Sequence, residues 1–505
     1  LVGRWDQLRF EAQSDKIEYT NRVFINRNMK MTKITHMGFD MDHTLAVYTD
    51  RAQKLAFDLA RDNLVSILGY PKQVKELEFE YDQVIRGLVI DKRRGNLIKL
   101  DTHKYVEMAY HGDRELEREE RKEVYNKPGE AYRPSDDNYS YLDTLFCLPE
   151  AYLYRKLVGL MDDLHEAKVV KKRPDYKKLY KDVRSAIDGI HRDGSMKKHI
   201  SDNIPLYIEK DPLLPKTLLH FLQGQKRLFL LTNSEYYYTN IVLSYLLNGE
   251  VPGYDNWQDY FDFIVVSARK PAFFLKEAPL EKIEEDEHGK EIPHEVRNKV
   301  FRGGYFKNLE QQIGAFGENI LYFGDHTFGD ILKSKQTCGW RTAMVILELE
   351  DELKTLEGQR EVRDRLELLK GSLQEIRDDI MMLENQITHL RNRKIDYYED
   401  LDYEELKDID AEMLTLRSMI EENEQKATDC LKEIKDLEDR LDQCYNTDWG
   451  CLFKSRRRKS RLGDQVEDFA CVYTSRITNF SYYPTTKYFR ISHDLMAHER
   501  QEFMV

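Results

Sequence analysis

Four short apolar runs, each ending in a polar cluster, limit what this chain can fold into: "ITHMGF" before Asp40, "RLFLL" before Thr232, "FDFIVV" before Ser267 and "NILYF" before Gly324. Continuous runs of this length, rich in aromatic and β-branched residues, suit strands buried on both faces. Helical patterns such as "DPLLPKTLLHFL" and "SEYYYTNIVLSYLL" lie between them, which predicts an α/β domain with a parallel sheet. Ligands of such sheets bind beyond the carboxyl ends of the strands, where the polar clusters fall.

The spacing of the runs predicts two insertions. Almost two hundred residues separate the first run from the second, far more than one crossover needs. Within them "RGLVIDKRRGNLIKLD" reads as a β-hairpin, and the stretch from about Tyr105 to Ile200 is helical in pattern, notably "YKDVRSAIDGIH". It is expected to cap the active edge of the sheet. Further on, Leu366, Leu369, Leu373, Ile376, Ile380, Leu383, Ile387 and Leu390 follow one another in steps of three and four, a heptad seam. A second seam runs from Leu406 to Cys444, with Asn423 inside it, and acidic "DYYEDLDYEE" separates the two. The pattern predicts an antiparallel coiled-coil hairpin of about 45 to 60 Å at 1.5 Å per residue, which holds itself together and can also recruit a protein partner. The expected organisation is core at 1–104, cap at 105–200, core at 201–348, hairpin at 349–446 and a C-terminal core or oligomerisation segment at 447–505.

Composition excludes several classes. With 78 basic and 91 acidic residues the formal charge is −13, which argues against a nucleic-acid or membrane-surface binder. The six cysteines lack CxxC spacing and no secretory pattern opens the chain, so neither disulfides nor structural zinc are expected, and the expected compartment is the cytoplasm. No apolar segment approaches the ~20 residues that span a bilayer. The first residue, Leu1, fits a trimmed chain.

The polar clusters carry the chemistry. Asp40, Asp42 and Thr44 form D-x-D-x-T directly after the first strand. After the second, "LTNSEYYY" offers Thr232, Asn233 and Ser234 as donors at a helix start, where an anion is best held. Lys270, in "SARKPAFF", would deliver a point charge to the same edge. Asp325 and Asp330, in "FGDHTFGDIL", would complete with Asp40 a hard oxygen site suited to Mg²⁺.

This ordered set resembles the signature motifs of the haloacid dehalogenase (HAD) superfamily. "FDMDHTLAVY", "RGLVID", "DTLFCLPE", "DVRSAIDGIH", "LTNSEYYYT", "ARKPAFF", "GDHTFGDILKSK" and "GWRT" are further similar to the cytosolic purine 5'-nucleotidase family, known for hydrolysing IMP and GMP. The resemblance implies a HAD-like Rossmannoid sheet with an inserted cap. It implies Asp40 as nucleophile and Asp42 as general acid and base, with Mg²⁺ held by Asp40, the backbone carbonyl of Asp42, and Asp325. Thr232, Asn233, Ser234 and Lys270 would hold the phosphate, and Asp330 would orient Lys270 or a metal-bound water. Phe146, Arg184, Asp188 and His191 would bind the base, the last three on one helix face. The implied activity is Mg²⁺-dependent hydrolysis of purine nucleoside 5′-monophosphates, with phosphotransfer to a nucleoside as a side activity and a homo-oligomeric state, dimer or tetramer. The alternatives are a HAD phosphatase for another phosphomonoester, and a coiled-coil scaffold with a vestigial site.

Some positions depart from the family. Arg192 replaces an aromatic residue after the histidine. The basic run "KSRRRKSR" at 454–461 reads either as a solvated loop or as a patch for a phosphate-rich effector or nucleic acid. Animal members are activated by ATP at a separate site, whose positions correspond here to Asp143, Gln336, Asp468 and Phe469. A carboxylate at 468 in place of a cation would repel a polyphosphate, so this site is expected to be lost or to take another ligand. An ATP dependence of turnover like that of the animal enzymes would contradict this.

Overall fold

The computed structural model describes residues 17–125, 137–399, 401–456 and 458–491. Strands are numbered in chain order as β1 (Phe24–Ile25), β2 (His36–Phe39), β3 (Val89–Asp91), β4 (Asn96–Leu100), β5 (Val106–His111), β6 (Arg114–Glu115), β7 (Tyr139–Tyr141), β8 (Arg227–Leu231), β9 (Phe263–Val266), β10 (Leu280–Lys282), β11 (Val300–Gly303), β12 (Ile320–Gly324), β13 (Arg341–Val345) and β14 (Val472–Thr474). Nine of them make one sheet in the order β1-β14-β13-β12-β2-β8-β9-β11-β10. The seven inner strands are parallel, and β1 and β10 run antiparallel at the edges. The four apolar runs of the sequence are thus four neighbouring strands, β12, β2, β8 and β9, and their polar ends share one edge.

Every residue of β2 is buried. Phe39 stacks on Phe323 of β12 with ring centroids 4.9 Å apart. On the other side Gly38 faces Phe229 of β8, whose ring would lie 2.2 Å from any added Cβ. Glycine is therefore the residue that lets the neighbouring aromatic close over the central strand.

The expected hairpin at 86–101 forms, with β3 paired to β4 through Gly95 at φ 74°. It does not belong to the main sheet. β3 and β4 join β5, β6 and β7 in a separate antiparallel sheet of order β6-β5-β4-β3-β7, so the expected division at 104 falls inside a sheet. Helical periodicity dominates the later part of this region, which is why its strands were less legible. Helices α1 (Asp50–Ser66), α2 (Leu148–Glu166) and α3 (Tyr176–Arg192) pack on one another beside it.

Residues 354–450 form a compact unit of their own. Its two long helices, α4 (Arg360–Asp396) and α5 (Tyr403–Tyr445), pack antiparallel, with Leu369 and Leu373 against Cys430 and Ile434 and ion pairs Arg365–Glu433 and Lys394–Asp410. At 37 and 43 residues they are about 55 and 65 Å long at 1.5 Å per residue, α4 within the expected range and α5 beyond it. The extra length of α5 has a local cause: Asp402 accepts from the Glu405 amide at 2.8 Å while Glu405 accepts from the Asp402 amide at 3.0 Å, a capping box that starts the helix inside the acidic separator.

The basic run is mostly exposed and partly paired where described. Lys454–Ser455 pairs antiparallel with Arg458–Lys459, and Arg458, Lys459 and Arg461 meet Asp101, Glu467 and Asp143. No helix among the described residues is long and apolar enough to cross a membrane.

Candidate active site

The four strand ends place their polar residues around a single ammonium group. Lys270 lies 2.9 Å from Asp40, 2.7 Å from Asp330 and 2.9 Å from the Tyr322 hydroxyl, so all three of its donors are used. Burial works against its charge, but Asp330 and Asp40 outweigh that and raise its pKa. The Lys270 backbone is fixed as well: its N–H donates to Asn233 Oδ1 at 2.6 Å, and its carbonyl accepts from Asn233 Nδ2 at 3.1 Å. Asn233 therefore has a different task from the one its place in the sequence suggested. Its amide clamps the lysine.

Asp40, Asp325 and Asp330 are all buried, and one ligand atom from each lies within 4.8 Å of the others. Burial raises the pKa of Asp40 well above the usual carboxylate range; Lys270 opposes this, and Asp330, Asp42 and Asp325 add to it. Burial likewise pushes Asp325 up to about 7, against the pull of Arg86. Three clustered carboxyls, two of which, Asp40 and Asp325, have their ionisation disfavoured by burial, are a donor set for a hard divalent cation. Gly324 allows the cluster to close, since a Cβ there would lie 2.5 Å from the Asp330 Cβ. A π-helical turn over Thr327–Leu332 brings Asp330 back to the strand end.

Asp42 stands apart from this set. Its carboxylate accepts from the Tyr48 hydroxyl at 2.6 Å and from Ser234 Oγ at 2.7 Å, and Tyr48 meets Tyr238 at 2.9 Å. Thr232 Oγ1 accepts from the Ser234 amide at 3.1 Å. The side chains of Asn233 and Ser234 are thus engaged with Lys270 and Asp42.

The base-binding candidates divide. Phe146 and His191 line a small slot of about 20 Å³ together with His43 and Tyr48, and the His43 ring meets Phe146 edge-on at 4.4 Å. Arg184 and Asp188 do not line it; they pair with each other at 3.1 Å, and Arg184 also reaches Glu150 at 2.8 Å. A larger cavity of about 890 Å³ lies against the second sheet, lined by none of Asp40, Asp325 and Asp330, with His111 and Asp162 in its wall 2.7 Å apart.

Several participants escaped sequence reasoning. Tyr322 sits in the apolar run "NILYF" and reads as strand core. Thr144 donates to Asp325 at 3.0 Å, and Arg86 donates to the Asp325 carbonyl at 2.8 Å while forking onto Glu348 at 2.6 and 3.0 Å. Both lie in motifs whose resemblance was noted, "DTLFCLPE" and "RGLVID", and that was the available signal.

Carboxylates beside a buried ammonium at the end of a central parallel strand, next to a helix start, are the equipment that phosphoryl transfer requires. The sequence model of the 5' nucleotidase family matches residues 23–501. A 5'-nucleotidase domain-containing protein of Dictyostelium discoideum is 31% identical over 483 residues, which cover 94% of this chain and 74% of that relative. The chain belongs to the 5'-nucleotidase family, a family of metal-dependent hydrolases that act on nucleotide 5′-monophosphates.

Two outcomes follow from this geometry. Between the ordinary carboxylate value of 3.8 and about 7, folded protein keeps a proton on Asp325 that the unfolded chain has released, so metal-free stability falls as pH rises through that window. A divalent cation competes with that proton, so the rise in melting temperature on adding Mg²⁺ will be larger at pH 8 than at pH 6; equal shifts would remove these carboxyls as the cation site. In Asn233→Ala the Lys270 backbone loses both clamps, and kcat is expected to fall by about 100-fold with little change in KM, which steady-state kinetics will show.

Proposed function

We propose that this chain is a Mg²⁺-dependent purine 5'-nucleotidase that releases phosphate from IMP- and GMP-type nucleotides through an aspartyl-phosphate at Asp40, with phosphotransfer to a nucleoside as a side activity. The observation that carries this reading is Asp40 itself, buried at the end of the central strand and 2.9 Å from Lys270. A phosphomonoester hydrolyses slowly in water because its charge repels nucleophiles, so a site must supply a fixed nucleophile and positive charge together.

Asp40 attacks phosphorus, and Lys270 stabilises the charge on the transferring oxygens. In the turn before the helix the Thr232 and Ser234 N–H groups are taken by the Val265 carbonyl and Thr232 Oγ1, and the Asn233 N–H would serve the same oxygens. Asp42 protonates the departing ribose 5′-oxygen and later takes a proton from water, while Tyr48 and Ser234 hold its carboxylate in place. Asp40 and Asp325, with the backbone carbonyl of Asp42, would hold Mg²⁺, and Asp330 would serve Lys270, to which it is bound at 2.7 Å. When bound, the cation supplies the charge that lets these acids ionise together and lets a carboxylate approach a phosphoryl group. Phe146 and His191 offer faces for a purine, and Arg184 and Asp188 offer hydrogen bonds to its edge once their mutual pair opens.

Phosphate release from IMP, GMP, AMP, CMP and a sugar phosphate, with and without Mg²⁺, tests this beside Asp40→Asn. Mg²⁺-dependent release from IMP and GMP that drops about 1,000-fold or more in the variant is expected. A preference for the sugar phosphate would leave a phosphatase of another monoester, and full activity in Asp40→Asn would end the aspartyl-phosphate mechanism.

A further inference from the structure

His43, between Asp42 and Thr44, is used by nothing in the mechanism above. It is 3% exposed, and its Nδ1 is buried without a hydrogen-bond partner. Such an atom costs stability unless something meets it. Its backbone is also unfavourable. At φ 53° it lies in the left-handed region, in a turn where the amides of Thr44, Leu45 and Ala46 all donate to the Met41 carbonyl. Glycine or asparagine would occupy that position more easily. A chain that places a histidine there accepts backbone strain and an orphaned nitrogen at one residue, a combination that concentrates at ligand sites.

The surroundings indicate what the nitrogen meets. His43 lines the small slot whose other walls include Phe146, Pro149, Ile187, His191 and Met196. Apolar and aromatic walls suit a flat heterocycle and polar atoms give it direction; beside Tyr48, Gln53 and His191 the lining offers His43 Nδ1, buried without a partner. The slot also lies next to the departing oxygen's acid, because Tyr48 lines it and donates to Asp42 at 2.6 Å. At about 20 Å³ it has room for little more than a water molecule, so a base would enter by moving the Phe146 or Met196 side chain.

We propose that His43 is a specificity-determining residue, its imidazole nitrogen hydrogen-bonding the polar edge of a purine seated between Phe146 and His191. This rests on the nucleotidase reading and adds to it a further group that distinguishes a nucleotide from a base-free sugar phosphate.

The test compares IMP with ribose 5-phosphate, which carries the same reacting group without a base, in the wild type and in His43→Phe, a variant that keeps an aromatic ring and loses the nitrogens. The ratio of kcat/KM for IMP to that for ribose 5-phosphate is expected to fall about tenfold, mainly through KM for IMP, as loss of one buried hydrogen bond requires. His43→Asn, which tolerates the left-handed backbone, gives a second reading should the phenylalanine variant fold poorly; it should lower the same ratio. An unchanged ratio, whether both substrates lose equally or neither loses, would overturn the inference and leave the nucleotidase intact. Wild type inactive on both would overturn the nucleotidase reading and this inference with it.

Discussion

The Lys270 ammonium holds together a site that would otherwise repel itself. Asp40, Asp325 and Asp330 converge with Asp42 nearby, and water is largely excluded, so each ionised carboxylate raises the cost of the next. One cation bound to Asp40 and Asp330 offsets part of that cost and leaves the remainder to a divalent ion. Removing one partner from such a buried pair typically costs about 3–5 kcal/mol, because the other is left uncompensated. This is why so much of the surrounding structure serves the lysine: Asn233 clamps its backbone, Tyr322 takes its third donor, and Gly324 gives Asp330 room to reach it.

The sheet makes that convergence possible. Parallel strands send their carboxyl ends to one edge, so residues almost three hundred positions apart in sequence, from Asp40 to Asp330, meet without any loop having to reach far. Small residues set the tolerances. Gly38 admits the Phe229 ring beside the central strand, and the turn after Asp40 folds back on the Met41 carbonyl, which sends the Asp42 carboxylate towards Tyr48 and Ser234. The two acids of D-x-D are thereby separated in function: one is held by an ammonium among other acids, the other by two hydroxyls.

Much of this was legible in the sequence because the signals were strand ends. Apolar runs of five or six residues followed by acids, hydroxyls or a lysine locate the sheet and its polar edge, where Asp40, Lys270, Asp325 and Asp330 meet. Partner choice was less legible. Nothing in "LTNSE" says whether Asn233 faces a ligand or the Lys270 backbone, since an amide serves either, and the i,i+4 spacing of Arg184 and Asp188 suits an ion pair as well as a base-binding pair. Tyr322 was hidden because a tyrosine inside an apolar strand reads as core. The sheet from β3 to β7 was blurred because its strands are short and followed by strong helical periodicity, whereas the two long helices were plain from their seams, the start of α5 being set by a capping box inside the acidic stretch.

The proposed mechanism turns on a covalent bond between Asp40 and phosphorus. Rapid acid quenching during turnover of IMP with Mg²⁺, followed by digestion and mass spectrometry, would detect it. A phosphorylated peptide with the modification on Asp40, present during turnover and absent once substrate is exhausted, is expected. A phosphorylated residue elsewhere, or steady turnover with no trappable adduct at any quench time, would contradict it.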